Sequence, residues 1–142
     1  MNKKISINNI KNLIFVCYGN TCRSPMAEGI AKKVLGSKFH VESAGISPSF
    51  NCAAEESIKV MQTLFEINIS NHQPRKINNL SIERFDFVIA LDLFVYDAIK
   101  MEYEISAEKL ILWEIDDPYL QDVEVYKKCA EKIYQHISDY FV

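Results

Sequence analysis

The chain has little of what would direct it to most kinds of partner. Glycine and proline are scarce, four of each in 142 residues. No Pro/Gly-rich linker, low-complexity tract or internal repeat divides it, so a single domain over residues 1–142 is expected, long enough for a full apolar core. Positive charge is not in excess. Sixteen Lys and Arg against nineteen Asp and Glu leave a net charge of −3, and so give no broad basic field for nucleic acid or a membrane surface. Long apolar runs are also missing: after the lysine-bearing residues 1–12 the first run covers only residues 13–16, too short for a signal-peptide core or a membrane span. A cytoplasmic protein is the expectation. The four cysteines, Cys17, Cys22, Cys52 and Cys129, form no Cys-x2-Cys pair, and the three histidines show no ligand spacing. No metal or cofactor is therefore expected, and free thiols fit a reducing compartment.

What is present is concentrated in one stretch, Val16-Cys17-Tyr18-Gly19-Asn20-Thr21-Cys22-Arg23-Ser24-Pro25. The apolar residues 13–16 before it predict a buried strand, and Ser24-Pro25 predicts an N-cap followed by the first residue of a helix. Gly19 and Asn20, inside the turn, belong to the residue types that tolerate positive φ, so successive backbone N–H groups can converge on one centre. Such a centre at a helix N-terminus suits an anion. A helix N-terminus and a neighbouring arginine both favour the thiolate form of a cysteine, which makes Cys17 a candidate nucleophile. Arg23 carries the planar fork that grips two oxygens of a tetrahedral oxyanion. Together they point to phosphoryl transfer to sulfur. The Cys-x5-Arg spacing alone is a weak signal; the strand before it, Gly-Asn within it and Ser-Pro after it are what give it meaning.

Beyond the loop, Met26, Ala27, Ile30, Ala31, Val34 and Leu35 recur at helical spacing up to Gly36, a residue that can end a helix. Residues 39–44 predict a second strand ending in a turn at Ser43-Ala44-Gly45. Residues 54–65 predict a helix with Glu55 and Glu56 in its first turn, as the helix dipole prefers. Residues 69–77 are too broken for an element and lead into a turn at 81–85. Residues 87–91 predict a third, buried strand, with Asp92 placed to cap the next helix. Residues 110–113 predict a fourth strand, and 123–141 an amphipathic terminal helix. Alternating strands and helices predict an α/β sandwich on a parallel sheet, with ligands bound beyond the carboxyl ends of the strands.

The pattern Val-Cys-x-Gly-Asn-x-Cys-Arg-Ser-Pro followed by Met-Ala-Glu resembles the signature loop of the low-molecular-weight protein tyrosine phosphatases, and the resemblance continues through most of the chain. It implies a three-layer sandwich on a four-stranded parallel sheet in order 2-1-3-4. It also implies hydrolysis of phosphotyrosine in a protein substrate through a cysteinyl phosphate, by a single phosphatase domain expected to be a monomer. A leaving aryl oxide needs a proton as the P–O bond breaks. Asp117-Pro118-Tyr119 resembles the family's Asp-Pro-Tyr motif in the loop after the fourth strand, which makes Asp117 the acid and then the base; Asp116 is its rival. By the same resemblance Tyr18, Gly19, Asn20, Thr21, Cys22 and Ser24 line or shape the phosphate site, while Asn20, Ser24, Ser43 and His72 brace it. The brace is expected to hold Gly19-Asn20 in a strained shape. Tyr18, Phe50 and Tyr119 are expected to wall an aromatic slot. Cys22 is expected on the pocket floor, near enough to Cys17 for a protective disulfide; Cys52 and Cys129 are expected to be packing residues.

Several positions depart from the pattern. Thr21 stands where tyrosine-specific members carry an aliphatic residue and the protein-arginine phosphatase branch carries threonine, so a phosphoarginine phosphatase is the alternative on the same scaffold. Residues 26–29 and 43–46 also resemble thioredoxin-coupled arsenate reductases, yet the place of their relay cysteines reads Ala90-Leu91-Asp92. Arsenate reduction by that relay is not expected. Pro74 precedes Arg75, and no glycine follows Tyr119. A non-catalytic phosphate-binding module is the alternative of a different class.

Overall fold

The computed structural model describes residues 9–142; the lysines and isoleucines of residues 1–8 lie outside the described part. Four strands, β1 (Lys11–Cys17), β2 (Phe39–Gly45), β3 (Phe87–Ala90) and β4 (Leu110–Leu112), form one parallel sheet in order β2-β1-β3-β4. Helices α1 (Arg23–Leu35), α2 (Glu55–Phe65), α3 (Leu93–Glu102) and α4 (Val123–Phe141) fill the connections, with short 3-10 turns at Gly36–Lys38, Ile77–Asn79 and Ile82–Arg84. The expected class and strand order are observed.

Alternation along β1 divides the core. Leu13, Phe15 and Cys17 face the layer of α1, α2 and α4, where they meet Met26, Ile30, Met61, Ile133 and Ile137. Ile14 and Val16 face the other way, toward Phe85, Val95 and Ile99 beneath α3 and the 3-10 turns. A central parallel strand must be apolar on both faces, which is why residues 13–16 read as a continuous run. Phe15 is fully buried beside Trp113, with ring centroids 5.7 Å apart. Burial of one such ring is worth about 1.5–3 kcal/mol.

The predicted boundaries hold closely. Helix α4 spans the segment read from its apolar spacing, with Tyr126, Cys129, Ala130, Ile133 and Ile137 buried. Helix α1 stops at Gly36, whose φ of 63° a side chain would strain. Helix α2 ends on Glu66, which takes φ 57° without being glycine. All four strands run the same way, so the loops after β1, β2, β3 and β4 gather at one edge of the sheet. Pairing continues past the strand ends there: Leu91 N–H donates to the Val16 carbonyl at 3.0 Å and Ile115 N–H to Leu91 at 3.1 Å.

Candidate active site

Strand β1 delivers Cys17 to that edge beside its register partner Gly45. The two chains stay together beyond the sheet, with Ile46 N–H donating to the Cys17 carbonyl at 3.1 Å and Ser47 N–H to the Tyr18 carbonyl at 2.8 Å. Gly45 is required by this approach. A Cβ there would lie 2.9 Å from both the Asn20 nitrogen and the Tyr18 oxygen, backbone atoms that cannot step aside. The loop then turns on Asn20, at φ 56°, a conformation asparagine tolerates better than most residues. The positive φ falls on Asn20 and not on Gly19. This fold brings the Asn20 N–H to 3.2 Å and the Ser24 hydroxyl to 2.9 Å from the Cys17 sulfur.

Ser24 is not the N-cap that Ser-Pro predicted. Helix α1 begins two residues before the expected Pro25, at Arg23, after Cys22 and with no side-chain cap. The hydroxyl is thereby left to face the thiol, and Pro25 sits in the first turn, where a missing N–H leaves no helical bond unmade.

Asn20 is the hub of the brace. Its Nδ2 donates to Ser24 Oγ at 2.7 Å and to Ser43 Oγ at 3.0 Å, while its Oδ1 accepts from the Arg75 N–H at 2.9 Å. His72 Nε2 lies 3.0 Å from the Asn20 carbonyl and 3.2 Å from Oδ1. Both are acceptors, so this nitrogen carries the proton. Burial holds the His72 imidazole below its ordinary value, although the bond to Asn20 and the nearby Glu28 oppose that. Asn20, Ser24, Ser43 and His72 are thus brought together as expected. Two residues with no predicted role join them. Ser43 donates to Glu28 Oε1 at 2.5 Å, and Arg75 Nη2 donates to the Ser43 carbonyl at 3.2 Å. Glu28 stands in the Met-Ala-Glu run that extends the loop motif, which was the available signal.

Arg23 is 2 % exposed. Its Nη1 donates to Asp92 Oδ2 and the Ile115 carbonyl, both at 2.8 Å, and to the Leu91 carbonyl at 3.3 Å. Its Nη2 lies 3.7 Å from Asp117 Oδ2. Burial works against the charge, but Cys17, Asp117 and Asp92 together hold the guanidinium above its ordinary range. Asp92 does two things at once. Oδ1 caps α3 by accepting from Val95 N–H at 2.8 Å, as predicted, while Oδ2 anchors the arginine.

Above the loop is a pocket of about 180 Å³ lined by Tyr18, Gly19, Thr21, Cys22, Arg23, Ser47, Ser49, Phe50, Asp117 and Tyr119. Cys17, 3 % exposed, lies at the base of the loop. Phe50 and Tyr119 stand 6.3 Å apart between ring centroids, and Tyr18 packs on Phe94 at 5.8 Å. Asp117 faces this pocket and accepts the Tyr119 N–H at 3.1 Å. Asp116 does not line it; the Asp116 carbonyl faces Cys129 at 3.9 Å. A larger cleft of about 670 Å³ opens elsewhere, against Glu28, His72 and Arg75, and no cysteine lines it.

The other thiols are placed differently. Cys22 is buried with its sulfur 3.3 Å from the Tyr126 hydroxyl, and burial pushes its thiol up despite that bond. Burial pushes Cys129 up to about 12. Both stay protonated at neutral pH. Cys129 is a packing residue as expected, but Cys52 is exposed, because the loop holding it runs over the surface ahead of α2.

A buried cysteine at the turn between a central parallel strand and a helix, facing a buried arginine, defines a cysteine-loop α/β protein built to hold a tetrahedral anion. The chain belongs to the family described as low molecular weight phosphotyrosine protein phosphatase, whose model matches residues 12–141. It is 30% identical over 139 residues to arsenate reductase 2 of Staphylococcus saprophyticus, a match covering 92% of this chain and 96% of that protein. Among solved structures it resembles a low molecular weight protein tyrosine phosphatase from T. tengcongensis, with a TM-score of 0.83 and 32% identity over 90% of this chain and 95% of the other. It shares its fold with the YwlE arginine phosphatase from Geobacillus stearothermophilus, with a TM-score of 0.82 and 23% identity over 90% and 88% of the two chains. No helix among the described residues is long and apolar enough to cross a membrane.

Proposed function

We propose that this member of the family is a phosphoprotein phosphatase acting on phosphotyrosine through a phosphocysteine. One observation carries the reading: the Cys17 sulfur, which accepts the Asn20 N–H and lies 2.9 Å from the Ser24 hydroxyl, is held at the base of a loop whose buried Arg23 lines one pocket with Asp117, Arg23 Nη2 and Asp117 Oδ2 being 3.7 Å apart. The loop amides and Arg23 hold the equatorial oxygens of the phosphoryl group. Cys17 attacks phosphorus in line as the P–O bond breaks, and Asp117 gives its proton to the departing phenolate oxygen. Water then attacks phosphorus as Asp117 takes a proton from it, and the S–P bond breaks to release phosphate and regenerate the Cys17 thiolate. Ser24, 2.9 Å from that sulfur, donates to it as it leaves. Tyr18, Phe50 and Tyr119 supply walls that suit a flat aromatic ring.

Thr21 favours a second reading on the same floor. It lines the pocket and is nearly buried, with its hydroxyl 3.7 Å from the Cys22 sulfur. In a phosphoarginine phosphatase the leaving group is already basic, and Asp117 would hold the guanidinium. Arsenate reduction is the weaker inference from the similarity to a reductase. In this chain Ala90 and Leu91 stand at the end of β3, and Asp92 is committed to Arg23 and the α3 cap. The test is turnover of matched phosphotyrosine and phosphoarginine peptides, without added metal, by wild type and Thr21→Ile. Preference for phosphotyrosine in wild type supports the first reading. Preference for phosphoarginine that Thr21→Ile reverses overturns it in favour of the second.

A further inference from the structure

The pocket over the loop does not end at its aromatic wall. Thr21, Phe50 and Tyr119 also line a second groove, about 320 Å³, that continues outward over the start of α2. Ala53, Ala54 and Leu120 give it apolar lining, and Glu55 and Glu56, which open helix α2, line it as well. No lysine or arginine lines it, and Arg23 is the only cation lining the pocket it adjoins. The two lined spaces therefore differ in charge: Arg23 and Asp117 line the pocket, whereas the adjoining groove combines apolar surface with two carboxylates.

Leu120 adds a second indication. Its φ is 66° and the residue is 83 % exposed, so a large apolar side chain is held out to solvent by a backbone that glycine would adopt at lower cost. The site is in the loop that also presents Asp117 and Tyr119. An exposed leucine in that conformation buries little apolar surface in the fold, and it lines the groove.

We infer that this groove is a specificity subsite for a lysine or arginine flanking the phosphorylated residue in a protein substrate, its aliphatic stem against Leu120, Ala53 and Phe50 and its cation at Glu55 and Glu56. Long basic side chains match this arrangement because they bury an apolar stem while the charged end stays solvated, and the faces of Phe50 and Tyr119 attract a cation passing them. An acidic flank would be repelled by the same carboxylates. The inference rests on the phosphatase reading and names part of its substrate.

The experiment compares kcat/KM for peptides carrying the phosphoresidue chosen by the first assay, with Arg, Ala, Leu or Glu within two residues on either side, alongside 4-nitrophenyl phosphate. Wild type should favour an arginine flank over a glutamate flank by about fivefold, the size expected of partly solvated ion pairs, and the margin should shrink in about 0.5 M NaCl. The double variant Glu55→Gln/Glu56→Gln should lose the margin while hydrolysing 4-nitrophenyl phosphate as wild type does. Leu120→Gly, which relieves the strained backbone, should reduce the margin without lowering stability. Three results overturn the subsite while leaving the phosphatase reading intact: equal rates on all flanks with normal aryl phosphate turnover, a preference for leucine, or an arginine preference that survives the double variant. Absence of turnover on every phosphoester, 4-nitrophenyl phosphate included, overturns both.

Discussion

The floor and the wall of the pocket are built in opposite ways. On the floor Cys17, Asn20, Thr21, Cys22, Arg23 and Ser24 are all buried, and Asn20 alone takes part in bonds with Ser24, Ser43, His72 and Arg75. On the wall Phe50, Tyr119 and Leu120 are exposed, and the Phe50 ring stands beside that of Tyr119. A reacting sulfur and an oxyanion grip work only if held to a fraction of an ångström, so their bonds over-determine them. A wall that meets varied substrates needs area more than fixed geometry. Changes at Cys17, Asn20, Arg23 and Ser24 should therefore alter the rate on every substrate, and changes on the wall, or at Thr21 where floor and outer groove meet, should alter the choice among substrates.

The sharpest way to break that division is Cys17→Ser. Turnover should fall by about 10⁴-fold or more on all phosphoesters, since the serine hydroxyl is a poor nucleophile in this setting. The amides and Arg23 should still bind phosphate or vanadate, measurable by calorimetry. Turnover close to wild type would remove the nucleophile from the floor. Asp117→Asn comes next. It should slow phosphotyrosine peptides by about 10²- to 10³-fold and esters with activated leaving groups far less. Equal losses on both would give Asp117 a positioning role. Asp92→Asn should be milder. Asparagine caps a helix as well as aspartate, so α3 keeps its start, but Arg23 loses its 2.8 Å ion pair. A fall in kcat of about 10- to 100-fold, common to all substrates, is expected.

How much was legible follows the same division. The apolar runs of residues 13–16 and 87–91 and the helical spacing of 123–141 are local signals, and the elements formed where they pointed, the third strand ending one residue sooner. The loop motif is contiguous, so its residues could be named together. The pairing of Arg23 with Asp92 was not readable, because 69 residues separate them and Asp92 already had a sufficient local role as a cap. Ser24 misled for a related reason: Ser-Pro is a true cap signal, but the convergence of the loop on Cys17 starts the helix two residues early. The absence of glycine after Tyr119 was visible, whereas its consequence, a leucine at positive φ, needed the backbone.

The smallest expected effect lies behind the floor, at His72. Its imidazole is held below the ordinary histidine value, chiefly by burial, with Arg75 and Lys32 adding to that and Glu28 and the bond to Asn20 opposing it. The unfolded chain therefore binds the proton more readily than the folded one, and stability must fall as pH drops through the ordinary histidine value, about 6.5, toward the lower folded one. Glu42 does not confuse this window. Burial raises its carboxyl, but bonds from His40 and Arg84 hold it below the usual carboxylate range, so its contribution is lost only at more acid pH. Urea unfolding at pH 7.5 and 5.5 should show wild type losing stability on acidification. His72→Gln, which keeps a donor for Asn20 and cannot titrate, should lose less. If both lose the same amount, the proton is taken up elsewhere and the brace behind the loop is indifferent to pH.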